Sequence, residues 1–315
     1  MRDLAIIIPA REEWLAGKTV ENILERRVID TEVYVCLDGW EPGPADTPIP
    51  VDPRVHVLRF ATTVGQRVAV NVAARLTSAR YLMKCDAHSA FPPGFDLALV
   101  EPYDAERLEL TTTSVPTTVK LRAWEWVCRG CGTRTEQGPS LERCPGCKGT
   151  DHVKEMVWNP RPLEKVDFGR FDKNLQFTYW LEYAKRLQPD NPFPELMCLG
   201  GGCWVMPRGR FWQLGGLDEA HGGWGQMGVE IALKSWLSGG RQVVNQTTWW
   251  AHMFRSTKDF SFPYPLRGSS VEVAKAYSRD LWLHDRWPCA VRPVQWVPDH
   301  FQPVPEWHAI PKEAA

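Results

Sequence analysis

No apolar run in the chain reaches about 18 residues, the length at which a segment reads as a membrane-spanning helix. The opening stretch Leu4 to Ile8, closed by Pro9, is also too short for the apolar core of a secretory leader. No membrane partner and a cytoplasmic setting are therefore expected. Charge of one sign is missing too: Lys plus Arg number 37 and Asp plus Glu 38, for a net −1. That gives no global case for a polyanionic partner, although a local basic patch stays open. No Gly-x-Gly-x-x-Gly follows the first apolar run and no Walker sequence occurs, which disfavours a Rossmann dehydrogenase and a P-loop NTPase. A secreted disulfide framework is disfavoured as well, because four of the nine cysteines fall in paired Cys-x-x-Cys spacing.

What is present is enough chain, 315 residues, for one large or two smaller domains, and 16 Trp, most of them expected in the core. Leu4–Ile8 reads as a buried strand, Lys18–Arg27 as an amphipathic helix, and 32–37 as a second strand ending at Asp38-Gly39. Arg54–Phe60 is a third strand, Val64–Leu76 a helix, and 81–85 a fourth strand ending at Asp86. This order implies an α/β fold with a mostly parallel sheet. Asp86 and His88, two apart, can face one object beyond the strand's carboxyl end, where open α/β sheets place ligands. A carboxylate with an imidazole suits a divalent ion such as Mn2+, or Mg2+; the bland alternative is a strand-end turn. Asp38 reaches the same sheet edge and can accept hydrogen bonds from a base or ribose, or simply turn the chain before Gly39.

The most specific local signal is Cys128-x-x-Cys131, twelve residues, then Cys144-x-x-Cys147. Two such knuckles present four thiolates to one tetrahedral Zn2+, a closed and therefore structural site. Ribbons of this kind often bind nucleic acid. This one carries Arg129, Arg134, Arg143 and Lys148 alongside Glu136, Glu142 and Asp151, so bracing the fold or binding protein are equal alternatives.

The second half holds Leu199-Gly200-Gly201-Gly202 leading into a strand, Trp224 to Glu230, a helix over 229–237, a strand near 242–244, and His252-Met253-Phe254-Arg255 followed by Phe260-Ser261-Phe262-Pro263. With Asp86-Ala87-His88, these segments resemble the GT-A glycosyltransferases, most closely the polypeptide N-acetylgalactosaminyltransferase branch, over Ala5 to about Asp285. The resemblance implies a Rossmann-like nucleotide-diphospho-sugar transferase fold and makes Asp86, His88 and His252 the ligands of Mn2+. It places Asp38, Gly65, Asn71, Asp86, Gly201, Gly202 and Arg255 on a UDP-sugar, with the 260–263 segment as a lid. Glu230, Arg255 and Trp224 are the implied catalytic residues. The expected division is a nucleotide-sugar half (1–120), a zinc-ribbon insertion (121–155), an acceptor-side half (156–255), and a lid with tail (256–315).

Two departures shape the expected chemistry. Met227-Gly228 stands where the branch has Glu-Asn, which favours retention of anomeric configuration, the leaving phosphate taking the acceptor proton. The stretch after Trp287 is short and Pro-rich, so no sugar-binding lectin domain is expected within this chain, and the ribbon is expected to be an addition to the polypeptide-enzyme pattern. The favoured acceptor is therefore a hydroxymethylated pyrimidine in DNA, with Trp124, Trp126 and Trp158 as candidate stacking residues. Transfer to a protein Ser/Thr or glycan hydroxyl is the alternative. A non-catalytic platform for nucleic acid or protein is the reading from another class.

Overall fold

The computed structural model describes residues 3–105, 111–115, 119–139, 141–162, 168–188, 190–255, 264 and 268–307. The first half supplies β1 (Leu4–Ala10), α1 (Ala16–Arg26), β2 (Thr31–Asp38), β3 (Val55–Phe60), α2 (Gln66–Leu76), β4 (Tyr81–Cys85), β5 (Ser89–Ala90), α3 (Phe95–Ala105) and β6 (Thr111–Ser114). A long hairpin follows, made of β7 (Val119–Cys128), β8 (Arg134–Glu136) and β9 (His152–Pro162). After it come β10 (Gly169–Phe171), β11 (Phe177–Tyr179), β12 (Cys203–Pro207), α4 (Arg208–Gln213), α5 (Met227–Leu237), β13 (Arg241–Val244), β14 (Ala251–His252), α6 (Gly268–Leu283) and α7 (Trp296–His300).

Seven strands form the central sheet in the order β13-β6-β12-β4-β1-β2-β3. All pairs are parallel except those of β12, which runs against β4 and β6. The sheet is thus mixed and mostly parallel. The alternation along β1 and β2 explains its two faces. Ala5, Ile7, Tyr34 and Cys36 enter one buried cluster with α2 and α5, while Leu4, Ile6, Ile8, Val33, Val35 and Leu37 enter another with α1 and α3. Both faces are covered, so these strands read as unbroken apolar runs.

The topology sets the site. β1, β2 and β4 end at one edge, delivering the loops that carry Glu13, Asp38, Asp86 and His88. Because β12 is antiparallel, its glycine-rich approach, Gly200 to Gly202, arrives where the parallel strands leave. β14 lies between β5 and β7 in a second sheet, with His252 opposite Ser89 on one side and Lys120 on the other. The cysteine-bearing hairpin is therefore paired, through β7, with the strand that carries His252. β7 and β9 pair from Val119↔Pro162 to Cys128↔His152, so the hairpin is longer than the 121–155 span read from its cysteines.

Candidate active site and metal centre

Asp86, His88 and His252 bring their ligand atoms within 4.8 Å of one another. His252 Nε2 lies 3.1 Å from Asp86 Oδ2 and 3.1 Å from His88 Nε2. Ligand atoms at right angles about an ion, with bonds of roughly 2.1 Å, stand about 3.0 Å apart, so the spacing fits a small divalent cation. The donor set fits too. Glu13 Oε2, 3.2 Å from His88 Nδ1, assigns the proton to that nitrogen and turns the Nε2 lone pair toward His252. Burial lowers the pKa of His252 despite the opposing pull of Asp86, which favours a neutral imidazole. Burial alone would raise Asp86, but Lys84, His252 and His88 outweigh it and hold this carboxyl well below the usual carboxylate range. Lys84, itself buried, bonds Asp86 and also donates to the carbonyls of Gly201 (3.2 Å) and Gly202 (3.3 Å).

These ligands stand in a cavity of about 520 Å³ whose walls include Arg11, Asp38, Gly65, Trp224, Arg255 and Tyr264. A second cavity of about 260 Å³ adjoins it, sharing Gln66, Asp86 and Trp224 and lined by Gly200 to Gly202 and the start of α5. The expected residues divide accordingly. Asp86, His88, His252, Arg255, Asp38, Gly65 and Trp224 all meet at the large cavity, while Gly201 and Gly202 face the smaller one. Asp38 has a structural task as well, since its carboxylate accepts from the Val64 (2.6 Å) and Gly65 (3.1 Å) backbone N–H groups. Gly65, at φ +86°, passes so close to Gly223 that a Cβ would lie 2.4 Å from its Cα.

Three expectations are corrected. Glu230 is fully buried and lines neither cavity: it faces Arg67 Nε at 2.8 Å and Lys234 Nζ at 2.9 Å, and it accepts from the Asp218 N–H. A carboxylate so enclosed cannot reach an acceptor hydroxyl. Asn71 is buried too, donating to Leu217 O and Glu219 Oε1 (both 2.8 Å) and accepting from Leu217 N, away from both cavities. The Met227-Gly228 departure has a packing cause. A Cβ on Gly228 would stand 2.0 Å from the Leu199 carbonyl oxygen, so this approach of α5 leaves no room for a side chain there. Trp124 is likewise no stacking platform. It is buried among Leu15, Ala90, Leu121 and Ala251, and Trp126 and Trp158 pack against the same cluster. The 260–263 lid segment lies outside the described residues.

Sequence reasoning missed Glu13, Lys84 and Arg67. Glu13 accepts from both His88 and Arg255, the latter at 2.6 Å, so one carboxylate oxygen joins a metal ligand to a cavity cation. Its position just beyond the end of β1 was the available signal, as was a lysine inside the otherwise apolar β4.

At the hairpin tip the four cysteine sulfurs converge within 4.8 Å, with Cys128–Cys147 at 3.5 Å and Cys131–Cys144 at 3.6 Å. Sulfurs around a tetrahedral Zn2+ at roughly 2.3 Å stand about 3.8 Å apart, so the cage fits that ion. The thiols titrate as one cluster: backbone N–H groups of Cys147 and Gly146 pull Cys144 down, while, against the opposing Gly149 N–H, Cys131 and Cys128 push Cys147 up. Each knuckle turns through a left-handed residue just after its second cysteine, Gly132 at φ 74° and Lys148 at φ 64°.

Residues 5–130 match the family described as Glycosyl transferase family 2. Curated relatives include Probable N-acetylgalactosaminyltransferase 6 of Caenorhabditis elegans, 28% identical over 144 residues, covering 44% of this chain and 23% of the relative. Human Polypeptide N-acetylgalactosaminyltransferase 10 is 28% identical over 117 residues, covering 34% of this chain and 18% of the relative. The chain thus spans less than a quarter of the length of these proteins. A crystal structure of GalNAc-T7 with UDP, GalNAc and Mn2+ superposes with a TM-score of 0.65 at 16% identity, covering 90% of this chain and 49% of that one. The fold is GT-A.

Proposed function

We propose that this GT-A-fold chain is a metal-dependent glycosyltransferase that moves a sugar from a UDP-sugar to a hydroxyl acceptor. The observation that carries the reading is the convergence of Asp86, His88 and His252 at a 520 Å³ cavity that also holds Arg255 and Asp38. A divalent ion held by that trio would offset the charge that develops on the departing diphosphate. The presence of UDP, GalNAc and Mn2+ in the GalNAc-T7 structure supports this choice of donor and ion. The chain's own residues do the rest. Arg255 adds a positive charge at the cavity wall, held by Glu13, and Trp224, which lines both cavities, would help exclude water from them. In the transfer, the acceptor oxygen bonds to the anomeric carbon while the bond from that carbon to the phosphate oxygen breaks, its electron pair leaving with UDP.

Retention of configuration is the stereochemistry we favour. The carboxylates lining the two cavities, among the described residues, are Glu13, Asp38 and Asp86. Each is already engaged, by Arg255 and His88, by backbone N–H groups, and by Lys84 and His252 respectively. With no free carboxylate among the described residues that line these cavities, we assign the acceptor proton to the leaving phosphate oxygen.

For the acceptor we favour a hydroxymethylated pyrimidine in DNA. Support comes from the ribbon hairpin, whose β7 pairs with the His252 strand and carries Lys120 directly opposite it, and whose knuckles expose Arg143 and Lys148. We assign the four cysteines to structural Zn2+. The test is a transfer assay with Mn2+ and pooled UDP-sugars, offering 5-hydroxymethylpyrimidine DNA, unmodified DNA and a Ser/Thr peptide. A hexose or N-acetylhexosamine mass increment on modified DNA alone, with retained configuration, is expected. An increment on peptide alone would overturn the DNA acceptor in favour of the one named in the relatives. Absence of UDP release under every condition would overturn the enzyme reading.

A further inference from the structure

Arg67 and Glu230 form an almost fully enclosed ion pair that joins the two halves of the fold, and nothing in the transfer chemistry uses them. Arg67 is 1% exposed and Glu230 is fully buried. Buried charges of this kind are costly and need a partner for every donor. Arg67 spends its fork in three directions. Nε meets Glu230 at 2.8 Å, Nη1 donates to the Gly222 carbonyl at 3.1 Å, and Nη2 donates to the Gly225 carbonyl at 2.7 Å. The two carbonyls bracket Gly223 and Trp224, the residues by which this loop enters the cavity walls. The loop is pinned from the other side too, where Gln66 N–H donates to Gly223 O at 3.2 Å. Lys234 supplies Glu230 with a second cation at 2.9 Å, so the acid stays compensated whether or not Arg67 is there.

We propose that Arg67 is a positioning residue for donor recognition: its guanidinium grips the loop on both sides of Trp224 and fixes that indole at the boundary between the two cavities, with Glu230 orienting the guanidinium. This rests on the UDP-sugar reading of the cavities and extends it. The larger cavity, reached by Asp38 and the metal ligands, takes the nucleoside diphosphate. The smaller one, beyond Trp224, takes the sugar. A planar fork is required, because an ammonium on a single stem cannot reach Glu230 and both carbonyls together. The structure thus gives Glu230 a task at one remove from the reaction, through Arg67 and the loop.

The experiment compares wild type with Arg67→Met and Arg67→Lys. Calorimetry with Mn2+ measures binding of UDP and, separately, of UDP-N-acetylhexosamine and UDP-hexose. Arg67→Met leaves Glu230 paired to Lys234, and Arg67→Lys keeps the charge as well, so the lysine variant carries the test if the methionine variant does not fold. Expected is UDP affinity within about threefold of wild type, with affinity for the preferred UDP-sugar reduced at least about tenfold and a larger share of the donor lost to hydrolysis. A merely structural role would lower the melting temperature and weaken both ligands equally. A folded variant whose UDP-sugar to UDP affinity ratio matches wild type would overturn the proposal. Wild type binding neither ligand would overturn the donor reading itself, a result distinguishable from failure of the clamp alone.

Discussion

The tip of the ribbon hairpin and the mouth of the donor cavity each gather candidate metal-ligand side chains, and the second sheet reaches from one to the other. Cys128 at the end of β7 and Lys120, which faces His252, are eight residues apart, about 27 Å at ~3.4 Å per strand residue. Their surroundings differ sharply. Among the described residues from 129 to 151, Cys144 alone is buried, so the tip has almost no apolar core of its own. On the zinc assignment proposed above, its shape depends on the ion the four sulfurs would hold. Asp86, His88 and His252 instead stand on finished structure. β4 and β5 are buried strands, Lys84 and Glu13 hold the ligands from behind, and Trp250 packs against His252 at 4.7 Å. One cluster is a fastener that makes its fold, and the other is an opening that its fold makes.

The largest expected effect tests the fastener. Structural zinc in small modules contributes apparent binding free energies of ~10–16 kcal/mol, far more than the tip can recover by packing. Cys144→Ser should abolish zinc binding and remove amide-exchange protection over 129–151. UDP binding should stay within about threefold, because the donor cavity is built from other elements. Persistence of protection at the tip without zinc would break the comparison, since it would mean the hairpin folds on its own contacts.

Removing a ligand from the other cluster should act in the opposite sense. His252→Ala is expected to leave the tip's zinc and the cooperative unfolding of the central sheet in place. Mn2+-supported UDP binding should fall by at least about 100-fold, beyond the loss typical for an outer partner of a ligand. Metal titration of the folded variant checks both halves. A variant that loses zinc as well would show that β14 couples the two clusters more tightly than its two-residue pairing with β7 suggests.

How much of this was legible in the chain follows from the range of the interactions. The cysteine cage is local, written in two knuckles twelve residues apart, and Asp86 and His88 sit at a strand end that its apolar run announces. Burial and distant partners are not written locally. Glu230, in the first turn of α5, could equally have faced the cavity, and only the packing of Arg67, 163 residues earlier, turns it inward. Asn71 was misread for the same reason, its partners Leu217 and Glu219 lying 146 and 148 residues away. The mostly parallel sheet was readable from strand–helix alternation, but the antiparallel course of β12, which brings Gly200 to Gly202 to the site, was not.

The smallest effect sharpens the comparison most, because it asks whether the opening is held ready by its outer partners. Glu13 stands 242 residues before Arg255 yet binds it at 2.6 Å, and the same oxygen takes the Nδ1–H of His88. Glu13→Gln keeps the size of the side chain and removes its charge. The amide oxygen can still accept one hydrogen bond, but it cannot hold His88 and Arg255 with the strength of a carboxylate. His88 then loses the carboxylate that fixes its tautomer and ring orientation, while the ligand itself remains. Mn2+ affinity should drop by about 10- to 100-fold, the usual cost of losing such a partner. The melting temperature should fall modestly, because Arg255, with a side chain 7% exposed, keeps only an amide oxygen where it had a carboxylate. Zinc at the tip should be untouched. An unchanged Mn2+ affinity in Glu13→Gln would mean that β4, β5 and β14 alone fix the ligands, and the carboxylate would then serve only to hold Arg255.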